Sequence, residues 1–175
     1  MSAPAESRPT VVDTVRGIVV KAELMASVGL LVTLLLALTT QILSRYVLAT
    51  PLVWTEEISR YLFVWLVLIG SAYVSAGNNH LALTVLTDRL GTRAFDIWMR
   101  CVALIVGVTS AVIAYQGIDF VESTIPLASP GSGISVAVVY LASIVGFCLI
   151  TVHSLDLIVF GPRNRDDAEE MEGAV

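Results

Sequence analysis

Charge is what this chain withholds. Across four stretches, Leu24–Ser44, Tyr61–Asn79, Cys101–Ile118 and Gly131–Val152, there is no Asp, Glu, Lys or Arg. Charged residues make up 14% of the 175 residues, against about 25% in an average soluble domain. A run of roughly 18–20 uncharged, mostly apolar residues crosses a hydrocarbon core of about 30 Å as a helix. Four such runs in a chain of this length leave no room for a soluble domain. The first run starts too far in and is too long for a cleaved signal peptide, and no small-residue cleavage pattern directly follows it.

Cysteine and histidine are scarce as well, with two of each. Cys101 and Cys148 fall inside predicted spans without CxxC spacing, which points to packing and away from a disulfide, a metal site or a thiol oxidase. His80 and His153 lie at the same membrane face. A four-helix protein carrying two haems would need about four axial histidines. No cofactor, no metal and no catalytic residue is expected, and no nucleic-acid partner.

The few basic residues are placed unevenly. Arg8, Arg16 and Lys21 precede the first run, Arg89, Arg93 and Arg100 lie between the second and third, and Arg163 and Arg165 follow the fourth. Asp119–Pro130, between the third and fourth, holds none, and only Arg45 and Arg60 lie by the first loop. The positive-inside rule then puts both termini and the middle loop in the cytoplasm.

What is present can now be placed. The sequence predicts an all-α integral membrane protein with four transmembrane helices at about 23–44, 58–78, 100–118 and 133–157. Residues 1–22 form a cytoplasmic N-terminal segment, 23–160 the membrane domain and 161–175 an acidic cytoplasmic tail containing Asp166, Asp167, Glu169, Glu170 and Glu172. The tail, ending at Val175, is read as solvated and as the end of a separate chain. Val11–Glu23 has apolar residues at 11, 12, 15, 18 and 19, which suits an amphipathic lead-in at the interface or an extension of helix one. Thr50-Pro51 has the form of a helix start, with Thr as cap and Pro in the first turn. From there Leu52–Glu57 is expected to form a short amphipathic helix before helix two. Small residues four apart, Ala72 and Ala76, Ala103, Gly107 and Ala111, and Ala142 and Gly146, are candidates for close helix contacts. Glu122–Gly133, reading ESTIPLASPGSG, is a turn-rich external loop. His153 and Asp156, three apart, are expected to share a local hydrogen bond.

The densest information lies in Trp54-Thr55-Glu56-Glu57-Ile58-Ser59-Arg60-Tyr61. Two carboxylates and an arginine stand immediately before a run that must enter lipid. Arg60 follows Glu56 by four and Glu57 by three, so one helical turn brings it beside both. Trp54, Ile58, Tyr61 and Trp65 make a second stripe at helical spacing. Two readings of this stretch compete: an aromatic-belt helix end with a self-neutralised ion pair, or a docking site for another membrane subunit.

The stretch WTEEISRYLFVWLVLIGSAYVSAGNNH resembles the signature of the small membrane subunit, DctQ-like, of tripartite ATP-independent periplasmic (TRAP) transporters. The matching positions are Arg45, Tyr46, Trp54, Glu56, Glu57, Arg60, Tyr61, Phe63, Trp65, Gly70 and His80. The family often follows the histidine with a basic, an apolar and an acidic residue, whereas this chain has Leu81-Ala82-Leu83-Thr84. The resemblance implies a non-catalytic scaffold subunit in the bacterial inner membrane. Its implied partners are a large multi-span transport subunit that moves substrate with sodium and a periplasmic protein that captures an organic acid. On that footing Arg45, Tyr46, Trp54, Glu56, Glu57, Arg60, Tyr61 and Trp65 become candidates for docking the large subunit. Asp119 and Glu122, with Tyr115, fall at i, i+4 and i+7 on the external end of helix three. They are candidates for contact with the periplasmic protein, a solvated helix end being the competing reading. A small homo-oligomeric channel or exporter remains the alternative, since pores can be lined by Ser, Thr and Gly.

Overall fold

The computed structural model describes residues 11–50, 52–77 and 92–161, and among these the chain is helical apart from its connections. Four helices are long and apolar enough to cross a membrane. They are α1 (Val11–Tyr46), α2 (Val53–Ala76), α3 (Thr92–Thr124) and α4 (Ala137–Phe160). The Val11–Glu23 lead-in is the first third of α1, with no break before the membrane run. The expected short helix before helix two is likewise the opening of α2 itself. His80, the segment Leu81–Thr84, Pro51 and the acidic tail lie outside the described residues.

Packing runs in an open row, α1 on α2, α2 on α4 and α4 on α3. The seam of α1 shows why it fits. Arg16, Val20, Glu23, Ser27, Leu30, Leu34, Ala37, Gln41 and Ser44 are its buried or half-buried residues on one stripe, alternately four and three apart. That 3.5-residue period is the one that keeps a stripe facing a slightly crossed neighbour. On α3 the buried or half-buried positions Met99, Ala103, Gly107, Ser110, Ala114, Gly117, Val121 and Thr124 likewise advance by three or four, alternating from Gly107 onward. Ala111, expected in that row, is exposed. Strict spacing by four advances about 40° per step on a 3.6-residue helix, so the row drifts off the seam.

Small residues set the closest approaches. A Cβ added at Gly146 would stand 2.7 Å from Leu68 Cβ, one added at Gly117 3.0 Å from Ile144 Cγ1, and one at Gly107 3.1 Å from Ser154 Cβ. Ala72 and Ala142 are fully buried. The indole N–H of Trp65 donates to Val138 O across α2 and α4 (3.1 Å), and Phe120 stacks on Tyr140 across α3 and α4 with centroids 5.7 Å apart.

At the end of the row that holds the start of α1, this helix reaches past α2 to α4. Arg16 Nη1 lies 2.8 Å from Asp156 Oδ2, and Arg16 Nη2 donates to Ala76 O at the last turn of α2 (2.9 Å). One to two turns further in, His153 Nε2 lies 2.8 Å from Glu23 Oε1, with both residues buried at 6% and 4% exposure. The expected local bond between His153 and Asp156 is thus replaced by two bonds to α1. The two helices run antiparallel, so the lower-numbered α1 residue meets the higher-numbered α4 residue. Seven residues on α1 rise about 10 Å and three on α4 about 4.5 Å; the length of the Arg16 side chain takes up the difference. Val12, Val15, Val19 and Val152 wall an apolar crevice of about 300 Å³ beside this clasp.

The α3–α4 connection is a tight hairpin. Ala128 and Ser135 form an antiparallel bridge, Ser129 N–H donates to Ile134 O and Val136 N–H to Leu127 O, each at 2.9 Å. Gly133 turns the chain at φ +71°, a conformation that glycine adopts without Cβ strain. The Ser135 hydroxyl donates to Ile125 O (2.9 Å) and accepts from Ala137 N–H (3.2 Å), joining the end of α3 to the start of α4.

Two measurements test this packing. Gly146→Ala should cost about 1–3 kcal/mol through overpacking against Leu68, whereas Gly70→Ala, with nothing within 4 Å of its added Cβ, should be neutral or stabilise by up to about 1 kcal/mol. Thermal unfolding in mild detergent reads the difference, and equal losses would contradict the interface. Removing Glu23 or His153 alone should cost about 3–5 kcal/mol, because each leaves its buried partner unpaired. The double alanine variant should then lose clearly less than the sum; additive losses in a double-mutant cycle would show that the pair is not coupled.

Candidate functional site

The N-terminal head of α2 is built on a well-satisfied backbone. Leu52 is the cap residue in extended conformation and offers no side-chain bond. The Thr55 hydroxyl donates to Leu52 O (2.7 Å) and the Ser59 hydroxyl to Thr55 O (2.8 Å), and both residues are buried. Thr50 does not cap α2. Its N–H donates to Ser44 O (3.1 Å), closing the end of α1 after Ala49 reverses the chain at φ 52°. Helix two therefore starts two residues beyond the expected Pro51, because Thr50 is already committed to the previous helix.

The carboxylate pair splits. Glu56 stays outside, its Oε1 3.6 Å from Arg60 Nη2, with the side chains 57% and 68% exposed. Such a pair contributes at most about 1 kcal/mol. Glu57 instead turns to the α3–α4 hairpin. Gly131 N–H donates to Glu57 Oε1 (2.9 Å) and Ser132 N–H to Glu57 Oε2 (2.7 Å), with the Ser129 hydroxyl adding to the cradle. Arg60 is thus paired with Glu56 and not with both carboxylates. Two charge-assisted bonds, each worth about 1.5–3 kcal/mol, outcompete one solvated arginine. Gly131 is needed for this approach, since a Cβ there would meet Val53 Cγ1 at 2.9 Å and the Glu57 carboxyl carbon at 3.0 Å.

The remaining candidates sort by exposure. Arg45, Tyr46 and Trp54 are exposed, and Arg45 lines a small notch of about 40 Å³ together with Gln41, Leu52, Val53 and Glu56. Tyr61 and Trp65 are half-buried, and the Trp65 indole N–H is engaged with Val138. Tyr115, Asp119 and Glu122 share an exposed face near the C-terminal end of α3, on the helix itself, which continues to Thr124. Among the described residues no three His, Cys, Asp or Glu side chains come together in a metal-holding group. Two features escaped the sequence. The Glu57–hairpin bond spans 74 positions, and the clasp joins α1 to α4 over 130. Spacing within a helix carries no signal for either.

A family model described as Tripartite ATP-independent periplasmic transporters, DctQ component, matches residues 34–161. The chain is 35% identical over 79 residues to the sialic acid TRAP transporter small permease protein SiaQ of Vibrio cholerae, covering 45% of this chain and 46% of that one. It is 26% identical over 162 residues to the isethionate TRAP transporter permease protein DctMQ of Oleidesulfovibrio alaskensis, covering 88% of this chain and 25% of the relative. A putative TRAP transporter small permease protein of Haemophilus influenzae is 44% identical over 46 residues, 26% of this chain and 29% of that one. The chain thus spans less than half the length of these relatives. With a match over most of its length and four membrane-crossing helices, this multi-pass inner-membrane chain belongs to the DctQ component family of tripartite ATP-independent periplasmic transporters.

Proposed function

We propose that this chain is the small, non-catalytic scaffold subunit of a sodium-coupled importer of an organic acid, the acid being captured outside by a periplasmic binding protein. It stabilises and orients a large transport subunit in the bilayer, with both its own termini in the cytoplasm. The observation that carries this reading is the state of its ionisable groups. Among the described residues they sit at the two ends of the helix row, and the buried ones are occupied with each other: Glu23 with His153, Arg16 with Asp156. Between these ends the α1 seam runs through Leu30, Leu34 and Ala37, and the buried residues of the other helices include Ala72, Ala103, Ala142 and, as an uncharged polar group, Ser110. A route for a carboxylate or a coupling ion needs polar groups or broken helices at mid-membrane. The solute therefore crosses in a partner. The size of two relatives supports a large partner: this chain aligns with a quarter of the isethionate permease DctMQ and with 16% of the sialic acid TRAP transporter permease protein SiaT of Haemophilus influenzae. Isethionate and sialic acid are both organic anions.

The large subunit docks at the external head of α2 through the groups left free of internal use, Glu56 and Arg60 with Arg45, Tyr46 and Trp54, while Tyr61 and Trp65 carry the same face down into the bilayer. Asp119 and Glu122 contribute on the α3 side to the face seen by the periplasmic protein.

The test is co-purification of the large subunit with Glu56→Lys/Arg60→Glu. The exposed pair adds little to folding, so the variant should remain soluble in detergent yet recover at least ten-fold less large subunit; full recovery with unchanged uptake would refute the docking face. Alone in liposomes the wild-type chain should accumulate no organic anion and pass no ions, and sodium-driven accumulation by the chain alone would overturn the scaffold role.

A further inference from the structure

The hairpin between α3 and α4 has an unusual tie to the rest of the domain. From Ile125 to Val136 it carries no charged residue, yet its turn receives a carboxylate. Both oxygens of Glu57 are taken, one by Gly131 N–H and one by Ser132 N–H. The other hydrogen bonds of this region hold the hairpin to itself or to the ends of α3 and α4. Glu57 is the group that fastens the turn to α2. The cradle leaves no slack, because Gly131 packs against Val53 and the Glu57 carboxyl so closely that a Cβ would overlap both. The hairpin in turn holds Ile125 and Leu127 outward, 61% and 55% exposed.

We propose that Glu57 is a positioning residue for this external hairpin: the carboxylate locks the turn over the head of α2, so that Ile125 and Leu127 stand at a fixed place on the outer end of the domain, where the periplasmic binding protein lands. The proposal rests on the scaffold role above and departs from it at one point. Glu57 serves the soluble partner through the hairpin and makes no contact with the large subunit. A carboxylate whose two oxygens each accept a short backbone bond has little left to offer a second protein. The sides of the helix row face lipid and the large subunit, so the outer end is the part that a partner approaching through water can reach. Adjacent carboxylates thereby acquire different duties, Glu56 facing outward along α2 and Glu57 inward to the turn.

The experiment uses the complete three-component transporter with Cys101 and Cys148 replaced by Ala, and compares Glu57→Ala with Glu57→Ala carrying Val53→Cys and Gly131→Cys. Val53 Cγ1 and the Gly131 Cβ position are 2.9 Å apart, within disulfide reach, and removal of the glutamate side chain clears the room that a cysteine at 131 requires. The external compartment is oxidising enough to keep such a bridge. Glu57→Ala should retain the large subunit at wild-type level. Its half-saturating concentration of binding protein should rise at least ten-fold, while uptake at saturating binding protein stays within two-fold. The engineered bridge should restore the low half-saturation, and a reductant should abolish the rescue. Unchanged half-saturation in Glu57→Ala overturns the proposal, as does loss of the large subunit from that variant, which assigns Glu57 to membrane docking. A bridge formed without rescue also overturns it. If the bridge fails to form, labelling of a Leu127→Cys variant decides: equal rates with and without Glu57 mean that the hairpin does not depend on it, and faster labelling without Glu57 upholds the lock. The scaffold role fails by a different sign, absence of the large subunit from the wild-type preparation.

Discussion

A carboxylate at the lip of a hydrocarbon slab must find its hydrogen-bond donors inside its own protein, because lipid offers none. Glu57 meets that demand with the backbone of a turn 74 positions away. The requirement recurs at the opposite end, where Glu23 pairs with His153 and Arg16 with Asp156 between α1 and α4. Both solutions join segments that the helix row alone would leave loosely associated. Polar groups, few as they are, therefore decide how the ends of this domain are closed, and apolar contacts decide the middle.

In the middle the means are steric. Lipid tails compete equally well for leucine, so helices gain by approaching until backbone meets side chain. Gly146 against Leu68, Gly117 against Ile144 and Gly107 against Ser154 are the places where this chain does so. All three lie on α4 or against it, which makes α4 the axis of the row. It contacts α2 on one side, α3 on the other and α1 through the clasp. The large aliphatic side chains are turned the other way, and Leu35, Leu36, Ile105 and Val108 are exposed as lipid-facing residues should be.

Much of this was readable beforehand, for identifiable reasons. Absence of charge over 18 or more residues is a local property, so the four spans stood out, as did the family signature around Trp54-Thr55-Glu56-Glu57. Helix ends were less readable. Thr50-Pro51 has the form of a start, but Thr50 is used to finish α1. The row of small residues spaced by four on α3 keeps to the seam through Gly107 and leaves it at Ala111, because helices that cross at a shallow angle keep a 3.5-residue seam. Glu57 and His153 were assigned neighbours three positions away, since proximity along one helix is the sole distance that sequence supplies. Their true partners lie on other helices, and which helices meet is decided by packing. The candidate docking residues stand out in the sequence only as candidates, whereas which of them face outward and which are used internally comes from the fold.

The two polar ends also fix how deep the domain sits. Along α2 the Glu57 anchor and the Ala76 carbonyl that takes Arg16 are 19 residues apart, a rise of about 28 Å, and Arg100 and Asp119 on α3 are separated by the same number. Neither end of α2 can slide, since Glu57 is bonded to the α3–α4 hairpin and Ala76 to α1. A bilayer a few Å thicker than this span would draw one set of charges under the acyl chains, and a thinner one would wet the aliphatic flank, at a fraction of a kcal/mol for each Å of mismatch. The domain accordingly carries its own measure of membrane thickness, and any permease fastened beside it inherits a vertical register that lipid composition alone would leave free.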